Sequence, residues 1–215
     1  MRRYIYFVFL LCCAVNLLLT SCVRQKYVVM DMVHHNPGEA MTESKFLDPS
    51  FLKKNEYGAK VFFLFEAAQF GIDWKSFDPS LFPDTTEAGR WVAEKAEIIH
   101  KKYDAAKKED LQVYCMLDML VLPSLLVEKH RTELTNEQGK LDISKPYTQL
   151  CIRELMKEMF ETFPQLDGLV IRTGETYLHD APYYVGNHPV QNGMYDHITL
   201  INLLREEVCE RRNKK

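Results

Sequence analysis

Groups that bind ligands or transfer protons are concentrated in one stretch of the chain. The sequence GLVIRTGETYLHDAPYYVGNHP, residues 168–189, starts as an apolar run and then turns polar. Its candidate functional side chains are Arg172, Glu175, Tyr177, His179, Asp180, Tyr183, Tyr184 and His188. Carboxylates and imidazoles act as general acids and bases, and aromatic rings and charged groups bind and orient ligands. The stretch therefore predicts a functional loop that begins directly after a buried strand.

Three other apolar runs end in the same way. The four runs cover residues 27–33, 60–65, 111–117 and 168–171, and they are rich in Val, Ile, Phe and Tyr. Nearly continuous apolar runs of this length are typical of strands buried on both faces of a parallel sheet. The polar or aromatic residues that end or follow the first three runs are His34, His35, Asn36, Glu39, Glu66, Gln69, Asp73, Trp74 and Asp118.

Helical patterns separate these runs. Asp48 before Pro49 predicts the start of a short helix, and Asp84 with Glu87 has the spacing of a capping box before a long one. Two further helices are predicted near residues 144–163 and 195–212. The inward-facing residues predicted for these two are Leu150, Cys151, Leu155, Met159, Phe163, Ile198, Ile201, Leu204 and Val208.

The alternation of strands and helices predicts an α/β fold with a parallel sheet. The sequence contains neither G-x-G-x-x-G nor a P-loop, and polar groups follow every strand, as they do at the active-site face of a (β/α) barrel. A complete barrel takes about 250 residues for eight units, whereas four units occupy most of the 215 residues here. We therefore expect a parallel (β/α) barrel type limited to the first four βα units, a half TIM barrel.

Four motifs resemble a known family. The segments VVMDMVHHNPGE, SKFLDP, YGAKVFFLFE and DGLVIRTGETYLHDAPYYVGN are similar to the N-terminal half of the TIM barrel in glycoside-hydrolase-like lipoproteins of saccharide-degrading bacteria. The nearest characterised relatives that this resemblance suggests are α-glucuronidase-like barrels, and it covers roughly residues 27–190. It implies a saccharide ligand, and we expect no cofactor. It does not extend to the α-glucuronidase catalytic residues.

The resemblance gives the candidate residues their expected roles. Glycoside hydrolysis commonly uses two carboxyl groups, and Glu175 is the candidate acid/base. Arg172 beside it favours the ionised carboxylate, and an ion pair between the two is the structural alternative. The expected substrate-binding residues are Arg172, His34, Asp118, Trp74, Tyr177, His179 and Asp180. A second catalytic carboxylate is not visible in the sequence, so enzyme activity stays uncertain.

Two alternatives to hydrolysis stay open. One is a truncated, non-catalytic half barrel that binds glycan or is inactive. The other is a metal-dependent hydrolase in which His34 or His35 joins His179, Asp180 or His188, although neither H-x-H nor H-E-x-x-H occurs. We therefore predict no metal site.

The first residues have the features of a secretory signal. Two arginines precede an apolar run over residues 5–19, and the following Leu-Thr-Ser-Cys resembles the lipobox of bacterial lipoproteins, with Cys22 as the acylated residue. The expected organisation is a signal peptide over residues 1–21, a lipidated Cys22 and tether over residues 22–26, and a domain over residues 27–215. An uncleaved anchor is the alternative. The predicted location is the cell envelope, at the periplasmic side of the outer membrane.

Composition and strand edges limit the partners. The net charge of −3 gives no basic field for nucleic acid, and the 47% hydrophobic content is enough for a packed core. Cys115 and Cys151 lie in apolar runs and are expected in that core. A half barrel would leave two strand edges unpaired, which predicts a homodimer or a complementary half barrel in addition to saccharide and membrane.

Overall fold

The computed structural model of the chain describes residues 28–31, 44–63, 66–174, 176–188 and 193–215. Its strands are β1 (Met30–Asp31), β2 (Ala59–Phe62), β3 (Gln112–Asp118), β4 (Val121–Pro123), β5 (Gly168–Arg172) and β6 (Tyr184–Gly186). β1, β2, β3 and β5 form one parallel sheet in that order, in which β1 contributes only two residues. β4 and β6 form a separate antiparallel pair. The mixed α/β class and the parallel sheet are confirmed, and the described residues form no closed barrel.

Six α-helices connect the strands in the described part of the chain. They are α1 (Pro49–Lys54), α2 (Glu87–Lys108), α3 (Ser124–Lys129), α4 (Arg131–Leu134), α5 (Pro146–Thr162) and α6 (Met194–Leu204). A π-helical segment, Arg205–Glu210, continues α6, and short 3-10 turns occupy Lys45–Leu47 and Ala68–Gly71. The four predicted helices are confirmed. The sequence analysis assigned no helix to the segment that contains α3 and α4.

Local capping shows why two of the helices start where they do. The Asp48 carboxylate accepts a hydrogen bond from the Ser50 N–H at 2.9 Å, and Pro49 opens α1 as predicted. At α2 the cap is Thr86, whose hydroxyl accepts the Gly89 N–H at 3.0 Å. The predicted capping role of Asp84 was therefore wrong by two residues.

Side chains of the sheet divide between two buried clusters. Val113, Cys115 and Leu117 of β3 belong to the main core, whereas Tyr114 and Met116 join a smaller cluster with residues of β2. This alternation follows from the period of two along a strand. The buried apolar residues of α1, α2, α5 and α6 all belong to the main core. The helices therefore pack against the face of the sheet that carries Val113, Cys115 and Leu117.

Two helices differ from the predicted inward faces. Leu150 of α5 is 41% exposed, and Ile198 and Ile201 of α6 are 45% and 58% exposed. The predicted inward residues Leu204 and Val208 are buried, and α6 also buries Leu200 and Leu203. Ile198 and Ile201 are apolar and fit the helical period, so the sequence pattern alone did not separate them from the buried positions.

The two core cysteines are confirmed. Cys115 and Cys151 are fully buried, and burial raises the pKa of each thiol to about 12. Both thiols therefore stay protonated at neutral pH and act as small apolar side chains. Among the described residues, no helix is long and apolar enough to cross a membrane.

Candidate functional site

Two charged side chains meet where β3 and β5 end. These strands pair in parallel with Asp118 opposite Arg172, so their side chains project at the same level of the sheet. The Arg172 Nε donates to Asp118 Oδ1 at 2.5 Å, and an Arg172 terminal nitrogen donates to Oδ2 at 2.9 Å. The Asp118 side chain is 1% exposed and that of Arg172 is 26% exposed. The bidentate geometry makes this a strong, largely desolvated ion pair.

Tyr177 completes this cluster. Its backbone N–H donates to Asp118 Oδ2 at 2.7 Å, and its ring lies 4.9 Å from the Arg172 guanidinium carbon. Asp118 thus holds both the end of β5 and the loop that follows. Three hydrogen bonds on its two oxygens therefore tie Asp118 to β5 and to this loop.

A cavity of about 310 Å³ opens between three loops of the molecule. Its lining residues are Ser80, Leu81, Phe82, Pro83, Thr86, Ala88, Ser124, Leu125, Glu128, Pro182 and Tyr183. Ala88 lies in the first turn of α2, and the others come from the segments between β2 and α2, between β3 and α5, and between β5 and α6. Each of these segments follows the carboxyl end of a strand of the parallel sheet. The cavity therefore belongs to the end of the sheet where α/β proteins bind ligands.

The polar groups of the cavity differ in whether they already form hydrogen bonds or ion pairs with other described residues. Ser80 donates to Asp78 at 2.6 Å and accepts from Lys129, and Thr86 is engaged as the cap of α2. Within the described residues, the Ser124 hydroxyl has no hydrogen-bond partner and the Glu128 carboxylate has no ion pair. These two residues lie four positions apart on α3, which places them on one face of the helix.

Aromatic and charged neighbours shape the cavity. Tyr183 is half-buried, and its ring lies edge-on to Trp91 at 5.7 Å. Burial and the nearby Glu87 carboxylate raise the pKa of the Tyr183 hydroxyl, which therefore stays neutral. At the rim, the hydrogen bond from Lys129 and those from Ser80 hold the pKa of Asp78 at about 2.

Trp74 requires a correction. The indole is fully buried and packs against Phe77 at a ring distance of 6.1 Å. Its faces are covered by the core, so the predicted stacking of Trp74 on a sugar is wrong for this conformation. The sequence placed Trp74 after a strand correctly, but a large apolar ring in a loop fits core packing as well as a binding site.

The other predicted residues lie in and around the loop after β5. Tyr177 is 41% exposed and contacts the His179 ring at 5.8 Å, and His179 and Asp180 are exposed. The structure thus joins Asp118, Arg172 and Tyr177, with His179 beside them. Glu175, His34, His35 and Cys22 lie outside the described residues.

No cluster of three or more His, Cys, Asp or Glu residues that could hold a metal ion occurs among the described residues. The predicted combinations with His34 or His35 lie partly outside that region.

Sequence reasoning missed Ser124 and Glu128. Both are on α3, and the pattern SLLVEK gives fewer than two turns of helix, whose period is too short to recognise. Ser124 directly follows β4, which is also too short to be recognised from the sequence.

Comparisons with known proteins place the chain near none of them. The scan against family models, the search of curated proteins and the search of solved structures each return no match.

Proposed function

We propose that the chain binds a neutral saccharide in the cavity between the three loops. The observation that carries this proposal is the pairing of Glu128 and Ser124, both without partners in the described chain, with the half-buried ring of Tyr183 in one cavity. A carboxylate and a hydroxyl accept hydrogen bonds from sugar hydroxyls, and an aromatic ring packs against the apolar face of a pyranose.

The size and charge of the cavity limit which ligands it can bind. A volume of about 310 Å³ is at the lower end of ligand pockets and fits one or two sugar rings. Glu128 in the lining and Asp78 at the rim repel anions, and Lys129 is already paired with Asp78 at 2.8 Å. A neutral hexoside therefore suits the cavity better than the uronic acid that the family resemblance implies.

The half barrel remains the proposed architecture. A doubly wound sheet reverses its strand order, whereas the four parallel strands here follow one another in chain order. The main helices contribute to one core on one face of the sheet, as they do in the outer layer of a barrel. We also propose the lipid-anchored location in the cell envelope, which rests on the predicted signal and Cys22.

Saccharide binding is tested by calorimetry with methyl glycosides and short neutral oligosaccharides. We expect Glu128→Gln, Ser124→Ala and Tyr183→Ala each to weaken binding by about fivefold, because one hydrogen bond or stacking contact is worth about 1 kcal/mol. Glu137→Gln, in an exposed turn, is the matched control. Absence of binding to every neutral sugar, or equal affinity in the Glu128→Gln and wild-type chains, would refute the proposal.

Hydrolysis is the second candidate function. The Asp118 carboxylate holds Arg172 and the backbone of Tyr177, and these two residues bracket Glu175 in the sequence. If Glu175 is the acid/base, Glu175→Gln abolishes turnover of aryl glycosides while saccharide affinity stays unchanged. Binding without turnover in the wild type supports the non-catalytic alternative, and turnover that a chelator removes supports the metal-dependent one.

A further inference from the structure

Two buried polar atoms have no hydrogen-bond partner among the described residues. They are the indole Nε1 of Trp74 and the side-chain Oε1 of Gln69. Both residues follow β2, and they are 0% and 1% exposed. Burying a polar group without a partner costs free energy, and nearly all such groups in folded proteins are paired with protein atoms or with ordered water. The two atoms therefore point to a further hydrogen-bonding group beside them.

Tyr184 of β6 connects the two residues. Its hydroxyl donates to the Gln69 carbonyl at 3.3 Å. Burial raises the pKa of this hydroxyl, and the nearby Trp74 N–H acts in the opposite direction. The indole N–H thus lies close to the Tyr184 oxygen, although the two lack the geometry of a hydrogen bond. Gln69, Trp74 and Tyr184 form one buried polar group, the internal polar cluster.

Aromatic side chains enclose the internal polar cluster. The Tyr184 ring lies edge-on to Phe70 at 5.0 Å and stacks on Phe82 at 5.7 Å. Phe82 also lines the cavity, so the cluster lies behind the cavity wall that this ring forms. In such an apolar environment an unpaired polar atom is especially costly.

The backbone holds the Trp74 indole in a fixed position. Its φ of 58° lies in the left-handed region, which is costly for a bulky side chain. The Trp74 carbonyl accepts the Phe77 N–H at 3.0 Å and the Asp78 N–H at 2.8 Å, which maintain this conformation. Because the indole is also fully buried, its N–H cannot turn towards solvent.

We propose that the internal polar cluster binds one water molecule. The indole N–H is only a donor and the Gln69 Oε1 atom is only an acceptor. A cation would leave the N–H without an acceptor, and an anion would leave Oε1 without a donor. Water accepts from Trp74 and donates to Gln69 and to the Tyr184 oxygen, which gives the about three hydrogen bonds typical of a buried water. It joins the loop after β2 to β6, and this inference does not depend on saccharide binding.

The test is nuclear magnetic resonance of the full chain in detergent, with isotope-labelled tryptophan. The chain has two tryptophans, and the indole signal that disappears in Trp74→Phe is assigned to Trp74. A bound water gives a cross peak between the Trp74 indole proton and the water resonance, with the sign of a nuclear Overhauser effect rather than of hydrogen exchange. We expect this cross peak in the wild type and its loss in Gln69→Met, which keeps the length of the side chain but removes its polar atoms.

Gln165→Met is the matched control. Gln165 also has a buried Oε1 without a partner in the described chain, but its amide donates to Asp104 at 2.8 Å. It precedes β5, whereas Gln69 follows β2, so the two residues lie at opposite ends of the parallel sheet. The cross peak should therefore be unchanged in Gln165→Met. Circular dichroism checks that each variant is folded, and Gln69→Leu replaces Gln69→Met if the latter does not fold.

Three results would overturn the inference. One is the absence of the cross peak from the wild type. Another is a cross peak with the sign of hydrogen exchange, which would show that the indole N–H reaches bulk solvent. A third is a cross peak that persists in the folded Gln69 variant, which would assign the signal to the Tyr184 hydroxyl.

Discussion

Asp118 is the side chain on which the loop after β5 depends most. It is 1% exposed and accepts hydrogen bonds from Arg172 and from the Tyr177 backbone. Asp118→Asn keeps the shape but removes the negative charge that pairs with the Arg172 guanidinium. Because breaking buried pairs costs several kcal/mol and Arg172 is partly exposed, we expect the free energy of unfolding to fall by about 2 kcal/mol. Urea unfolding measures this change.

The control for this change is Asp180→Asn. Asp180 is exposed in the same loop, and a surface substitution changes stability by less than about 0.5 kcal/mol. Equal unfolding midpoints for Asp118→Asn and wild type would show that the ion pair contributes nothing to the folded state.

Asp78 makes the stability of the molecule depend on acid pH. Its pKa is lowered from 3.8 to about 2, chiefly by the hydrogen bond from Lys129. A carboxylate with a lowered pKa stabilises the fold above its unfolded value, and this stability is lost as pH falls through the folded value. Between pH 4 and pH 2, the free energy of unfolding should therefore fall by about 1 kcal/mol more in wild type than in Asp78→Asn, after allowance for solvent screening.

Thermal unfolding across that pH range measures the difference. Parallel curves for the two proteins between pH 4 and pH 2 would contradict the proposed role of the Lys129 pair. Because Asp78 shares Ser80 with the cavity rim, loss of the pair at low pH should also weaken saccharide binding.

At the scale of elements, the hydrogen bonds of Thr86 make it the cap of α2. Its hydroxyl accepts the Gly89 N–H and donates to the Pro83 carbonyl at 2.7 Å. Thr86→Ala should lower the free energy of unfolding by about 1 kcal/mol. Asp84→Ala should change it by less than about 0.5 kcal/mol, because Asp84 forms only an exposed ion pair with Lys75. The reverse ranking in chemical denaturation would restore the capping box predicted from sequence.

The sequence pattern predicts elements well where burial is continuous. The runs that became β2, β3 and β5 were recognised because nearly every position in them is apolar, and Pro49 and Asp48 fixed the start of α1. β4 and β6 were missed since three-residue strands have no measurable period. Ile198 and Ile201 were wrongly assigned to the buried face of α6 because they are as apolar as the buried leucines.

The candidate site could be predicted only in part. Parallel strands bring Asp118 and Arg172 to the same level, so the sequence order of the strands was enough to group them. Ser124 and Glu128 come together with Tyr183 only through the pairing of β4 with β6, in which Pro123 lies opposite Tyr184. That antiparallel contact joins two loops far apart in the chain, and no local sequence pattern predicts it.

At the scale of the whole molecule, the last residues stabilise the edge of the sheet. Lys215 pairs with the backbone on both sides of Gly168, and a Cβ on Gly168 would lie 2.2 Å from the Lys215 carbonyl oxygen. Gly168→Ala should therefore displace Lys215, free the Leu169 N–H and speed its hydrogen exchange at least tenfold. Gly174→Ala is the matched control, since no atom lies within 4 Å of its added Cβ. Unchanged exchange at Leu169 in Gly168→Ala would mean that this pairing does not persist in solution.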